Sequence, residues 1–358
     1  MTAPSTPCAL LVTGGAGFIG ANFIHSFLAA NPGCRVVNLD LLTYAGNLEN
    51  LKGIEGNPSY RFVRGDIGDA ALVANLLKEE SIDAVVHFAA ESHVDRSISG
   101  PEIFIRTNVL GTQVLLEESR KHWQSGVRSR FRYLQVSTDE VYGSLGATGF
   151  FTEGTPLAAN SPYSASKAGA DLLVRAYHET YGMPVLTTRC SNNYGPYQFP
   201  EKLIPLLIHN IVARKPLPVY GDGQNVRDWL HVCDHAEAIE QVLKRGEPGQ
   251  VFNIGGNNEW KNIDIVNLVC DLLDERLGRA DGENRGLITF VKDRPGHDRR
   301  YAIDAAKIRA TLGWEPSYTF ERGIAETIDW YLANQEWVAD VTSGAYRDYY
   351  SSQYGEGQ

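Results

Sequence analysis

A chain of 358 residues with a formal net charge of -10 presents no basic field to gather a phosphate backbone, which argues against nucleic-acid binding and leaves any anionic ligand to be held by local donors. Five widely spaced cysteines, Cys8, Cys34, Cys190, Cys233 and Cys270, form no CxxC pair and suggest no disulfide framework. The opening MTAPSTP lacks a basic, apolar leader, and no run approaches the roughly 20 apolar residues of a membrane span, so the expectation is a soluble cytoplasmic protein without a membrane partner.

In chain order, short β-branched runs alternate with helical patterns, as in a parallel sheet covered on both faces. Strands are expected at 9–13, 35–39, 60–64, 83–88, 132–137 and 184–189, and helices at 18–30, 69–80, 102–121 and 163–181. The fold class is therefore α/β, a Rossmann-type doubly wound parallel sheet with a smaller α/β substrate-binding lobe. The cofactor domain is expected over 1–190, with a return near 228–256 because Val251-Phe252-Asn253-Ile254 reads as another sheet strand. Residues 191–345 form an interleaved lobe, and 346–358, rich in Tyr, Ser and Gly, read as a tail.

Gly14, Gly17 and Gly20 follow the first strand and open the first helix, with Phe18 and Ile19 at its start. Glycine there permits a tight turn and lets backbone approach a pyrophosphate, while the helix N-terminus offers unpaired N–H groups. Asp40, twenty positions beyond Gly20, can accept from the adenosine ribose hydroxyls, which argues for NAD, although Lys52 leaves NADP open. Asp66, followed by Ile67 after the third strand, can receive the adenine amino group; an exposed strand-end Asp is the plainer alternative.

Tyr163 and Lys167 lie four apart and so on one helical face, where an ammonium and a positive nicotinamide ring can favour a phenolate base. Thr138-Asp139-Glu140 stands at the carboxyl end of the fifth strand, where open α/β sheets bind their ligands. Two adjacent acids there suggest acid/base work beyond hydride transfer, one protonated and one ionised if their environments differ. Nine histidines include no HExxH and no Cys/His cluster, so no metal is expected.

Together these residues resemble the extended short-chain dehydrogenase/reductase family, and Thr138-Asp139-Glu140 resembles the segment found in its dTDP-glucose 4,6-dehydratases. The resemblance spans nearly the whole chain and includes Ala89-Ala90-Glu91-Ser92-His93-Val94-Asp95-Arg96-Ser97, Cys190-Ser191-Asn192-Asn193-Tyr194-Gly195-Pro196, Arg227-Asp228-Trp229 and Asp293-Arg294-Pro295-Gly296-His297-Asp298. Cys233 departs from it, standing where an acidic residue is common. It implies NAD-dependent oxidation at carbon 4 of a nucleotide-sugar substrate such as dTDP-glucose, elimination of water across carbons 5 and 6, and hydride return to carbon 6. Tyr163 would be the base tuned by Lys167, Glu140 would take the carbon 5 proton, Asp139 would protonate the leaving hydroxyl, and Thr138 would bond the sugar near hydroxyl 4. Ser92, Asn192, Lys202, Arg227, Asn262, Arg294 and His297 would bind substrate, with Arg227 the main phosphate candidate.

The resemblance also implies a homodimer built from the helices at 102–121 and 163–181. A 4-epimerase shares the fold and the Tyr/Lys pair but needs no carbon 5 base. A UDP-glucuronate decarboxylase would need a carboxylate-recognition group, and a non-catalytic NAD-sensing regulator would bind cofactor without turnover.

Overall fold

The computed structural model describes residues 7–126 and 131–342; the expected tail at 346–358 lies outside them. Twelve strands are present among these residues: β1 (Ala9–Thr13), β2 (Arg35–Asp40), β3 (Tyr60–Arg64), β4 (Ala84–His87), β5 (Arg132–Thr138), β6 (Val185–Cys190), β7 (Asn192–Tyr194), β8 (Leu217–Tyr220), β9 (Val226–His231), β10 (Val251–Ile254), β11 (Glu259–Lys261) and β12 (Ile288–Val291). The helices are α1 (Phe18–Ala30), α2 (Ala70–Glu79), α3 (Val94–Ser99), α4 (Pro101–Phe104), α5 (Thr112–Gln124), α6 (Pro162–Tyr181), α7 (Leu203–Val212), α8 (Val232–Arg245), α9 (Asn262–Arg276), α10 (Ala306–Leu312), α11 (Phe320–Ala333) and α12 (Gln335–Val341).

Seven strands make one parallel sheet in the order β10-β6-β5-β4-β1-β2-β3, so the direction of winding reverses between β1 and β4 and opens a crevice above their carboxyl ends. This is the Rossmann-type arrangement. β10 is the expected return strand, pairing Val251 with Thr187 and Ile254 with Cys190. β5 is buried at every position, as a central strand covered on both faces must be. One face packs Phe23 and Phe27 of α1 against Val242 of α8 and Ile308 of α10; the other packs Leu115, Leu116 and Val174 with Tyr133.

The second lobe has its own core, in which Tyr194, Trp229, Phe320, Ile265 and Ile208 meet beneath the three-stranded sheet β11-β9-β7. A two-stranded sheet, β12-β8, completes that lobe. The chain crosses between the halves more than once, since α10 packs on the large-sheet core while α11 packs on the other.

Local chemistry sets the ends of the site-bearing helix. Ser161 caps α6 by accepting from the Ser164 amide, Ser164 reciprocates, Pro162 occupies the first turn, and Gly182 closes it at φ 67. The single helix expected over 102–121 is instead α4, a wider π-type turn at Ile105–Gly111, and α5. At that turn the Asn108 side chain leaves the helix face to bond the Glu91 backbone at both N and O and the Ser166 hydroxyl, while Gly111 lies close against Ile67. Hydrophobic spacing carries no sign of such a side-chain commitment. The pairing of β1 with β2 also sets two of the scattered cysteines side by side: the free thiols of Cys8 and Cys34 lie 2.8 Å apart.

One buried charge network joins four elements near the active end of the sheet. Arg189 of β6 donates from Nε to Asp171 of α6 at 2.9 Å and from Nη1 to the Tyr142 hydroxyl at 2.9 Å, and Tyr142 donates to Asn253 of β10 at 2.8 Å. The Arg189 and Asp171 side chains are only 8% and 2% exposed. Removing one partner leaves the other charge buried and unpaired, so Asp171→Ala is expected to cost about 3–5 kcal/mol, read as a lowered midpoint in urea unfolding.

Candidate active site

A cavity of about 310 Å³ opens over the carboxyl ends of β1, β4 and β5. At one end Gly14 holds φ +72, and a Cβ there would stand 2.5 Å from the Ala89 backbone nitrogen; at Gly20 it would stand 2.4 Å from the Gly14 carbonyl oxygen. Only glycine fits at either point. Gly17 caps α1 without a side-chain bond, so the amides of Phe18 and Ile19 belong to a helix start whose first N–H groups have no intrahelical acceptor, and both residues line the cavity.

Asp40 lies on the same wall and is anchored by the Ala16 amide at 2.9 Å and the Leu42 amide at 2.8 Å. Burial pushes its carboxyl upward, and those two amides work the other way. Asp66 and Ile67 complete this end, with Asp66 accepting from the Gly68 amide at 2.8 Å. Lys52 is instead a surface residue paired with Glu49 at 3.1 Å. A glycine cradle, a free helix start and a wall carboxylate suit the adenosine diphosphate half of NAD.

At the other end the chain turns sharply as β5 finishes. Thr138 Oγ1 accepts from the Glu140 amide at 3.2 Å and donates to Asp139 Oδ1 at 3.3 Å, starting a 3-10 turn over Asp139–Tyr142. Asp139 is buried, and its second oxygen has no protein partner. Burial, then Glu140, then Asp228 push its carboxyl well above the usual range, whereas Glu140, also raised by burial, is held back by Arg294, Lys202 and Arg227. Both carboxyls are thus shifted upward, Asp139 by burial that two carboxylates reinforce and Glu140 by burial that three cations oppose.

Tyr163 and Lys167 stand on the same wall from the first turns of α6. The Tyr163 ring meets Phe104 edge-on, with centroids 6.3 Å apart. Burial, Glu140 and Cys190 raise its phenol well above the ordinary value, and a hydrogen bond with Thr138 opposes them. Lys167 donates to the Val136 carbonyl at 2.9 Å, and its ammonium is pushed down by burial against the pull of Asp171.

The expected substrate residues divide in two. Ser92, Asn192 and Lys202 line the cavity, with Lys202 donating to the Ser92 carbonyl at 3.1 Å and the buried Asn192 Oδ1 unpartnered by protein. Arg227, Asn262, Arg294 and His297 are not on that wall. Arg227 spends two donors on the Val226 and Asp298 carbonyls and lies 4.3 Å over the Tyr301 ring. Arg294 pairs with Asp95 at 2.9 Å, His297 with Asp293 at 2.6 Å, and Asn262 begins α9 with its amide on the Asn225 carbonyl.

Several neighbours escaped the sequence reading. Glu201, buried on the cavity wall, receives Arg96 at 3.2 Å, and Arg96 lies 4.0 Å over the Tyr44 ring. Asp228 accepts from the amides of Gly256 at 3.0 Å and Asn258 at 2.7 Å, fixing β9 to the turn after β10. Its place beside Arg227 in a quoted motif was the available signal; Tyr301 had none.

A sequence profile described as GDP-mannose 4,6 dehydratase matches residues 11–327. The chain belongs to that family. A dTDP-glucose 4,6-dehydratase of Xanthomonas campestris pv. campestris (strain B100) is 63% identical over 341 residues, covering 94% of this chain and 97% of the relative. The crystal structure of a dTDP-glucose 4,6-dehydratase from Streptomyces venezuelae, solved with NAD bound, superposes with a TM-score of 0.86 at 48% identity over 93% of this chain and 99% of that one. A UDP-glucose 4-epimerase of Thermotoga maritima shares the fold at a TM-score of 0.80 but only 27% identity, over 91% and 99% of the two chains.

Gly14→Ala is expected to weaken NAD binding at least about tenfold, because the added methyl collides with backbone. Fluorescence titration of the cofactor against the folded variant checks it.

Proposed function

We propose that this protein, with NAD bound, dehydrates dTDP-glucose to the 4-keto-6-deoxy sugar nucleotide. The observation that carries the reading is the pair Asp139 and Glu140 beside Tyr163 on one cavity wall, where cations oppose the effect of burial on Glu140 and carboxylates reinforce it on Asp139. A 4-epimerase has use for the tyrosine alone. Relatives named as dTDP-glucose 4,6-dehydratases, at up to 63% identity, support the same choice.

NAD, when bound, supplies the hydride acceptor at carbon 4 and the hydride donor at carbon 6. The side chains move the protons. Tyr163 takes the proton of hydroxyl 4, while Thr138, turning its one O–H from Asp139 to the substrate, donates to the same oxygen and steadies the carbonyl it becomes. That carbonyl acidifies carbon 5. Glu140, whose upward shift by burial the nearby cations oppose, takes the carbon 5 proton and returns it to carbon 5 once carbon 6 has been reduced, and Asp139, kept neutral by burial, gives a proton to the departing hydroxyl of carbon 6. Lys167, four residues on along α6 from Tyr163, would tune the phenol and help to hold the cofactor. Asn192 and Lys202 hold the sugar diphosphate from the wall, with Arg227, Asn262, Arg294 and His297 toward the nucleotide.

No helix among the described residues is long and apolar enough to cross a membrane. We also propose a homodimer: Ile103, Ile105, Leu110, Leu172 and Tyr181, on the paired segments around α5 and α6, leave their apolar side chains exposed. Leu172→Asp is expected to give monomers by light scattering, and an unchanged dimer mass would remove α6 from the interface.

With dTDP-glucose and no added reductant, mass spectrometry should record loss of one water, and a galactose isomer of unchanged mass would establish epimerisation instead. Glu140→Gln should retain cofactor reduction by substrate but lower overall turnover by at least about a hundredfold. Asp139 gives a pH test. Its folded carboxyl lies above its unfolded value, so its contribution to stability is full below the unfolded pKa and is lost as pH rises through the folded one. The melting temperature of Asp139→Asn should therefore rise relative to wild type as pH climbs from the unfolded carboxylate value of about 4 toward the raised folded one; a constant difference above that value would mean that Asp139 is ionised in the folded protein.

A further inference from the structure

Asp95 takes no part in the chemistry above, yet its carboxylate joins the two halves of the protein. It lies on α3, which follows β4 of the large sheet, and its Oδ1 accepts from Arg294 Nη1 at 2.9 Å across 199 positions of sequence. Its Oδ2 accepts from the hydroxyl of Tyr220, at the end of β8, at 3.3 Å. The Tyr220 ring in turn meets His297 edge-on, with centroids 6.2 Å apart. One carboxylate from the cofactor half therefore bonds two residues of the second lobe and reaches a third, His297, through the Tyr220 ring.

The pairing is largely withdrawn from water, with side chains 11% exposed for Asp95 and 25% for Arg294. Burial works against the guanidinium's charge, and Asp95 more than restores it. The Arg294 Nε is buried without a protein partner. A guanidinium held at Nη1 keeps its Nε–Nη2 edge for a second acceptor, and two parallel N–H donors on such an edge match two oxygens of a phosphate. Arg294 also acts on Glu140, so its charge lies within electrostatic reach of the reacting end of the cavity.

We propose that Asp95 is a positioning residue for the substrate diphosphate: it holds Arg294 with the Nε edge presented to phosphate and brings Tyr220 to the same point, so that nucleotide binding depends on a contact between the two halves. The inference rests on the nucleotide-sugar reading. Asp95 touches no substrate atom and acts through Arg294, which separates it from a residue that merely supports the fold.

The test is a double-mutant cycle on the NAD-loaded protein, read as the Kd of dTDP by isothermal titration and as KM for dTDP-glucose. Asp95→Ala is expected to weaken dTDP by about tenfold and Arg294→Ala by at least as much, with the double variant no weaker than Arg294→Ala alone. Losses that multiply would overturn the proposal, as would an Asp95→Ala variant that binds dTDP like wild type. Asp95→Asn, close in volume but uncharged, replaces the alanine variant if that fails to fold, and the same non-additivity is expected. Wild-type protein that binds dTDP without dehydrating dTDP-glucose would sink the dehydratase reading, while the cycle in dTDP affinity would still decide the role of Asp95.

Discussion

Arg189 is the tie on which the geometry of the reacting end depends. Its guanidinium lies in the interior and reaches Asp171 on α6 and Tyr142 in the turn after β5. Those two contacts fix the helix that carries Tyr163 and Lys167 against the turn that carries Asp139 and Glu140. A buried ion pair contributes little net stability over well-packed apolar groups, but breaking it is costly, so it favours one arrangement over nearby alternatives. The bond from Tyr142 to Asn253 extends the same restraint to β10, where the chain returns to the sheet.

Electrostatics then divides labour among groups that composition would treat alike. The protein is acidic overall, yet Arg227, Arg294 and Lys202 converge on Glu140. Asp139, one residue earlier, faces inward, where burial and two carboxylates dominate. Over a few ångströms in a partly dry cavity, such local fields outweigh a net charge spread over the surface. The same cations that would attract a diphosphate therefore help to keep the neighbouring carboxylate ionised.

The fold leaves the reaction open. A UDP-glucose 4-epimerase shares it at a TM-score of 0.80, because the parallel sheet and glycine turn serve any chemistry that begins with hydride transfer. On the function proposed above, what distinguishes the dehydration is carried by a few side chains at the end of β5, held by a 3-10 turn that Thr138 starts.

The amino-acid sequence by itself determined the alternation of strands and helices, the glycine turn, the Tyr/Lys pair and the adjacent acids, because each is a local pattern whose period or spacing has a direct geometric meaning. Even the return strand was legible, since Val251-Phe252-Asn253-Ile254 is an apolar run of strand length. The π-type turn at Ile105–Gly111 was not, because it answers to Asn108 bonding Glu91 and Ser166, residues remote in sequence. Nor could spacing reveal that Arg227 is occupied by main-chain carbonyls, that Arg294 meets Asp95, or that Cys8 stands beside Cys34. Those relations join segments that only the folded topology brings together, and a side chain's partner depends on where distant backbone comes to rest.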